Sequence, residues 1–147
     1  MSSEIEEFQP PLELTTFMVG NACCGIDILK VQEINKLTQV TYVPLAPEYI
    51  RGILNLRGQI ITVVDVAKRL GLSSAYEPKR QRNIIVRFEN ESVGLIVDGI
   101  GDVFRTQWQY IEKPPANVVG VQGRYFAGLL KTEKQLISIL NLDAVLG

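Results

Sequence analysis

The chain has 147 residues, 46% of them apolar and 21% charged, and a formal net charge of −1. That balance excludes a general electrostatic pull toward nucleic acid or acidic lipid, and no apolar run reaches the roughly 18 residues of a membrane-spanning helix. There is no histidine, which removes the commonest general acid–base group and metal ligand, and two adjacent cysteines, Cys23 and Cys24, cannot build a four-ligand zinc site unaided.

Met1 to Pro11 is acidic, lacks the apolar stretch of a secretory signal and closes on Pro10-Pro11. It reads as a flexible tail, residues 1–11, ahead of a domain over 12–147. Leu12 to Val19 is a predicted strand, Gly20-Asn21 a turn, and Cys23 to Ile28 the next strand. The cysteines read as small buried hydrophobes in a reducing compartment, with a redox switch as the alternative. Leu29 to Ile34 alternates apolar and polar residues, as a half-buried strand does. Thr38 to Val43 is strongly β-forming until Pro44 and Pro47 stop it. A helical turn is expected over Glu48 to Arg51, then a strand over Ile53 to Leu56. Arg57-Gly58 makes the turn, Gln59 to Val66 returns, and Ala67 to Leu70 is one helical turn ended by Gly71. Ser73 to Arg82 is polar, holds Pro78 and reads as a loop.

The second half keeps the β habit. Asn83 to Phe88 and Ser92 to Asp98 flank a hairpin tip at Glu89 to Glu91, and Gly99 to Arg105 continues as strand. Gln107 to Ile111 is a short helix by pattern. Val118 to Gln122, Tyr125 to Lys131 and Gln135 to Leu140 are the last strands, and Asn141 to Leu146 is a terminal helical turn. About ten short strands and no long amphipathic helix predict a mostly β fold of small barrels or a sandwich. The segments from Gly52 to Leu70 and from Leu129 to Leu146 both run strand, charged tip, strand, then a helix cap at Asp65 and at Asn141 or Asp143. They are either two related barrels or two instances of a common hairpin-and-cap arrangement.

No residue set here performs chemistry. Asp27, Asp65, Asp98 and Asp102 stand beside glycines and caps without a base partner. Gly99-Ile100-Gly101 lacks the third glycine of a dinucleotide loop, and the glycines around Asn55-Leu56-Arg57 lack the Gly-Lys-Ser/Thr of a phosphate loop. Lys79, Arg80 and Arg82 carry no interleaved aromatics and read as a solvated face. Trp108 and Tyr110 suit either the core or an interface. What stands out is Arg57, framed by Gly52 and Gly58 at the tip of a hairpin, with Glu33 able to reach it. A charge presented on a stiff β scaffold suggests recognition of another protein. No metal and no cofactor are expected. An enzyme without histidine, or a ligand- or RNA-binding barrel, are the competing classes.

Gly25 to Ile34 (GIDILKVQEI), Val43 to Leu72 (VPLAPEYIRGILNLRGQIITVVDVAKRLGL) and Val93 to Val103 (VGLIVDGIGDV) resemble the CheW family of chemotaxis coupling proteins, in order from about Leu12 to Leu146. The resemblance implies two intertwined five-stranded SH3-like β-barrels sharing a hydrophobic core, with short helical turns. It implies a non-enzymatic adaptor that couples chemoreceptors (methyl-accepting chemotaxis proteins) to the histidine kinase CheA. One barrel would meet the kinase's own CheW-like regulatory domain, and the groove between barrels would hold the cytoplasmic tip of a receptor. Val31, Glu33, Gly52, Arg57, Gly58 and Ile100 match family positions at or near that groove. The resemblance implies a cytoplasmic protein recruited to membrane receptor arrays, among other CheW copies, with no direct membrane insertion and no nucleic acid. The output is flagellar motility or another system such as type IV pilus movement. Three features depart from the family pattern: Thr62 stands where proline is usual, Cys23-Cys24 replaces a more polar pair, and Glu112 to Asn117 is not diagnostic. No receiver domain follows, so the fused adaptor type, CheV, does not fit.

Overall fold

Segments such as Ile84-Ile85-Val86 and Val63-Val64 are apolar at successive positions, so as strands they must be covered on both faces. The computed structural model, which describes residues 10–36, 39–74 and 77–147, shows how this is done. The strands are β1 (Leu12–Val19), β2 (Ala22–Asp27), β3 (Val31–Asn35), β4 (Ile50–Leu56), β5 (Gln59–Asp65), β6 (Arg82–Phe88), β7 (Glu91–Val97) and β8 (Gly99–Thr106). They continue as β9 (Asn117–Val118), β10 (Val121–Gln122), β11 (Phe126–Lys131) and β12 (Leu136–Leu140). Two one-turn helices, α1 (Val66–Leu70) and α2 (Leu142–Leu146), follow β5 and β12.

The large strands form two five-stranded sheets, ordered β11-β12-β2-β1-β8 and β3-β6-β7-β5-β4. Reversing the second order makes the two sheets equivalent. A hairpin at one edge (β11–β12 or β5–β4) runs parallel to a strand of a second hairpin (β2 or β7), and one more strand closes the far edge (β8 or β3). That last strand is exchanged. β3 follows β2 in the chain but pairs with β6, and β8 follows β7 but pairs with β1. Asp98 pins the second crossing: its N–H donates to the Met18 carbonyl at 2.8 Å, and its carboxylate accepts the Gly20 N–H at 2.7 Å and the Ser74 hydroxyl at 2.5 Å.

The repeat extends to detail. The Asp65 N–H donates to the Tyr49 carbonyl, and the Asn141 N–H to the Tyr125 carbonyl. Bulges fall at Ile50/Gly52 and at Phe126/Gly128. Asp65 caps α1 through the Lys68 N–H, and Asn141 caps α2 through the Ala144 N–H. Where the helices meet, the Arg69 guanidinium lies 4.5 Å from the Tyr49 ring centre and 5.3 Å from that of Tyr125, and donates to the carbonyls of Val145 and Ala144. One cation thus ties the two halves together.

Two small apolar clusters each belong to a single sheet, Leu12, Leu14, Leu130, Ile137 and Ile139 in one, Leu54, Ile61, Val63, Ile85 and Ile96 in the other. The opposite faces, with Phe17, Cys24, Ile84, Val86, Leu95 and Phe126, merge into one larger shared core. Successive residues therefore point into different cores: Ile85 into its own lobe, Ile84 and Val86 into the common one. The fold is mostly β and intertwined, with short helical turns, as the resemblance implied.

Several sequence expectations need correction. Leu29 is not in a strand; Ile28–Lys30 is a 3-10 turn capped by Asp27, and the Leu29 side chain is 88% exposed. Thr38 lies outside the described residues, and from 39 to 43 only an isolated bridge, Thr41 to Ile53, forms. Glu48 to Arg51 is no helical turn: a turn at Glu48-Tyr49 leads straight into β4. Val118 to Gln122 is not one strand but a miniature hairpin, β9–β10, turned at Val119-Gly120 with φ of 50° and 80°. Twelve strands result among the described residues.

Cys23 and Cys24 point to opposite faces of β2, and neither is in a disulfide. Cys24 is buried in the shared core, and burial, with Cys23 alongside, pushes its thiol up from 9.0 to about 12. The folded thiol thus ionises later than the unfolded one, so its contribution is intact below pH 9 and lost as pH rises toward 12. Stability should fall by up to about 1.4 kcal/mol per pH unit across that window. Denaturant melts from pH 8 to 11 on the wild type and Cys24→Ala should show a steeper alkaline loss in the wild type; parallel curves would refute this.

Candidate partner-binding rim

β4 and β5 are joined by only two residues, and both adopt positive φ, 50° at Arg57 and 84° at Gly58. That is the tight turn whose twist matches a hairpin. Gly58 meets the requirement without strain, and the Gly58 N–H donates to Asn55 Oδ1 at 2.9 Å, which steadies the turn. Asn55-Leu56-Arg57-Gly58 thus has a local reason for each polar and glycine position.

β3 and β4 are the two edges of their sheet. A bulge between Val31 and Glu33 sets Glu33 opposite Ile85, and Glu33 Oε1 accepts from Arg57 Nη2 at 2.5 Å. The pair brings the β4–β5 tip against β3. The Arg57 side chain is 72% exposed and that of Glu33 29%. An exposed pair of this kind contributes about 0–1 kcal/mol to stability, so its effect is to hold the guanidinium in one orientation, with much of its surface facing outward.

The structure thus joins Glu33, Arg57 and Gly58 on one rim. Val31 is half-buried opposite Val86 and packs on the shared core. Gly52 is buried near the start of β4, where a Cβ would lie 2.2 Å from the Thr41 carbonyl oxygen. Ile100 belongs to the other sheet, on β8 opposite Phe17, and is 39% exposed. Under the repeat, the Val86–Val31 pair corresponds to Phe17–Ile100, so Val31 and Ile100 are equivalent positions on the two exchanged strands. Sequence reading missed Asn55 and also Ile60, which is 65% exposed opposite Asn55 in the register. Asn two residues before an Arg-Gly tip was a usable signal; the outward face of Ile60 was not.

The other lobe has a matching rim without the arginine. Asp102 on β8 stands where Glu33 stands on β3, and the β11–β12 turn, Thr132 to Gln135, replaces Arg57-Gly58. No ion pair bridges these elements among the described residues; a cleft of about 570 Å³ lies there, floored by Phe17, Cys23 and Phe104. Trp108 and Tyr110 are both exposed. Arg80 pairs with Glu77, and Arg82 donates to the Lys79 and Gln81 carbonyls. Among the described residues no group of His, Cys, Asp or Glu is disposed to hold a metal, and no helix is long and apolar enough to cross a membrane.

Two equivalent β lobes with exchanged strands, and an exposed, ion-paired arginine at a lobe edge, define a two-lobed β module of recognisable kind. The chain belongs to the CheW-like domain family, whose model matches residues 13–147. It is 32% identical over 146 residues to "Chemotaxis protein CheW" of Bacillus subtilis, covering 99% of this chain and 92% of that protein. It is 32% identical over 133 residues to "Chemotaxis protein CheW" of Rhizobium meliloti, covering 90% and 86%. Among solved structures it is similar to the scaffolding protein TtCheW of Thermoanaerobacter tengcongensis, with a TM-score of 0.85, 36% identity, and coverage of 92% of this chain and 88% of that one.

Proposed function

We propose that this chain is a non-enzymatic coupling protein of chemotaxis, which joins the cytoplasmic tips of chemoreceptors to the histidine kinase CheA. The observation that carries this reading is the family match over residues 13–147, on a fold similar to a solved scaffolding protein. The geometry supports it: a receptor helix would lie along the groove flanked by the exchanged strands, reading Val31 and Ile100 as apolar contacts and Arg57 as the charged one. Glu33 would orient Arg57, while Gly52 and Gly58 would shape the hairpin that carries it. The kinase's CheW-like regulatory domain would dock on one lobe, and further copies of the chain would extend the array. Such a protein works in the cytoplasm at the receptor array, holding both partners at high effective concentration.

The test is assembly of a ternary complex from the purified chain, a receptor signalling fragment and the kinase, read by co-sedimentation with receptor-bearing vesicles. Kinase should pellet with receptor only when the chain is present. Equal pelleting without it, or no binding of the chain to either component at micromolar concentration, would overturn the proposal.

A further inference from the structure

The internal repeat puts the same gap in both lobes, between the exchanged strand and the tip of the edge hairpin. Side chains at equivalent positions decide whether it closes. In the lobe that carries Arg57, two bridges span it. Arg57 Nη2 donates to Glu33 Oε1 at 2.5 Å, and the Ser92 hydroxyl donates to Gln32 Oε1 at 2.8 Å. Ile85, opposite Glu33 in the register, is 1% exposed beneath them.

In the other lobe every one of these positions differs. The registers set Asp102 in the place of Glu33 and Glu133 in the place of Arg57. Gly101 and Cys23 stand for Gln32 and Ser92, and Thr16 for Ile85. Two carboxylates cannot pair, a glycine and a cysteine cannot form the second bridge, and threonine is smaller than isoleucine. The tip also turns differently: Arg57 and Gly58 both have positive φ, whereas Glu133 and Lys134 do not. The 570 Å³ cleft is therefore a product of residue identity along well-described strands. Its apolar wall includes Met18, Cys23 and Phe104, and the Thr16 hydroxyl holds the Asp102 carbonyl at 2.5 Å, which fixes the acidic wall. Lys134 also lines the cleft, but among the described residues neither carboxylate is ion-paired. Residues 1–9, 37–38 and 75–76 contain no lysine or arginine, so they supply no cationic side chain to this place.

We propose that this cleft binds an arginine side chain presented by a partner protein. The other lobe shows the chemistry: a guanidinium on the carboxylate equivalent to Asp102. Here the chain replaces its own guanidinium with a second carboxylate, so the cation must come from outside. The arginine stem would lie on Met18 and Phe104, and the planar head would meet Asp102 and Glu133. A lysine fits less well, because its ammonium is a compact, strongly hydrated point charge without the fork that engages two carboxylates. A second copy of this chain is the weaker candidate, since its tip arginine, Arg57, is already held by Glu33. The site belongs to the lobe without Arg57 and does not rest on the coupling role.

The probe is the peptide acetyl-Ser-Leu-Arg-Leu-Ser-amide, titrated into the full chain and followed by amide chemical shifts. Saturable binding is expected, with shifts centred on Met18, Cys23, Asp102 and the Thr132–Gln135 turn. Citrulline in place of the arginine, which keeps the shape and removes the charge, should weaken binding about tenfold or more, and lysine should weaken it several-fold. Asp102→Asn and Glu133→Gln should each weaken it, and Lys134→Ala should strengthen it. Glu133→Arg should abolish it by placing the chain's own guanidinium on Asp102, as in the other lobe; circular dichroism checks that each variant is folded. Arg57→Asp should leave peptide binding unchanged, which separates this site from the receptor reading. Absence of saturable binding, equal affinity for the citrulline peptide, insensitivity to Glu133→Arg, or shifts centred elsewhere would overturn the proposal. So would a concentration-dependent dimer that Arg57→Asp and Glu133→Arg each abolish, because the occupant would then be a second copy of this chain.

Discussion

Gly52→Asp should destabilise the protein by about 3–5 kcal/mol, the largest single effect expected among the rim residues. The backbone at Gly52 has φ of 149°, a conformation that side-chain-bearing residues rarely adopt, and a Cβ there would lie 2.2 Å from the Thr41 carbonyl oxygen and 2.7 Å from Val40 Cγ1. Relief requires breaking the Thr41–Ile53 bridge, whose two hydrogen bonds are 2.7 and 2.9 Å long. A carboxylate at a buried position adds a desolvation cost. For a chain of this size the midpoint of thermal unfolding should drop by roughly 10 °C or more. Gly58→Ala makes the informative contrast: φ is 84° but no atom lies within 4 Å of the added methyl, so only backbone strain of about 1 kcal/mol opposes it. Equal melting temperatures for Gly52→Asp and the wild type would show that the steric argument is wrong.

Arg57→Asp should behave in the opposite way, leaving the fold intact while weakening receptor binding by more than about tenfold. The stability side follows from exposure: the Glu33–Arg57 pair is open to water and its loss is worth at most about 1 kcal/mol. The binding side follows from charge reversal, because an aspartate at the tip would stand beside Glu33 and present two carboxylates where one guanidinium stood. Arginines at the centre of interfaces commonly contribute about 2 kcal/mol or more. Co-sedimentation with receptor-containing membranes measures the loss, and circular dichroism checks the fold. Arg57→Lys should fall between the two, keeping the charge without the planar fork. Unchanged co-sedimentation of Arg57→Asp would remove Arg57 from the proposed site.

Local features of this fold were legible because local chemistry determines them. Leu12 to Val19 reads as a strand and is one; Asp65 and Gly71 bracket a helical turn and cap it; Arg57-Gly58 reads as a hairpin tip and adopts the expected positive φ pair. The contact of Glu33 with Arg57 was within reach of the same reasoning. Partner choice was not. Alternation along Val31 to Asn35 specifies a half-buried strand but not that it pairs with β6 across the molecule, since its neighbour in sequence, β2, is equally apolar. Thr38 to Val43 has β-forming side chains, yet Pro44 and the approach of Gly52 leave room for one bridge at Thr41. Leu29 follows a strand pattern but is turned outward by the Asp27 cap, whose carboxylate accepts the Leu29 N–H at 3.0 Å. Asn83 reads only as the start of a strand; it is fully buried, neither of its amide atoms has a partner among the described residues, and Gly94 gives it room, since a Cβ there would lie 2.4 Å from Asn83 Oδ1. The equivalence of Val31 and Ile100 on the two exchanged strands follows from the topology, which no window of the sequence contains.

The exchange of β3 and β8 has a mechanical consequence. Residues 12–70 lend one hairpin to the first lobe and three strands to the second, and the remainder of the chain does the reverse. Neither lobe can therefore loosen by itself, because melting one withdraws an edge from its neighbour, and the two must open as a single cooperative unit. A load applied at either end of the molecule is carried to the other lobe through the two backbone crossings, β2 to β3 and β7 to β8, as well as through side-chain packing.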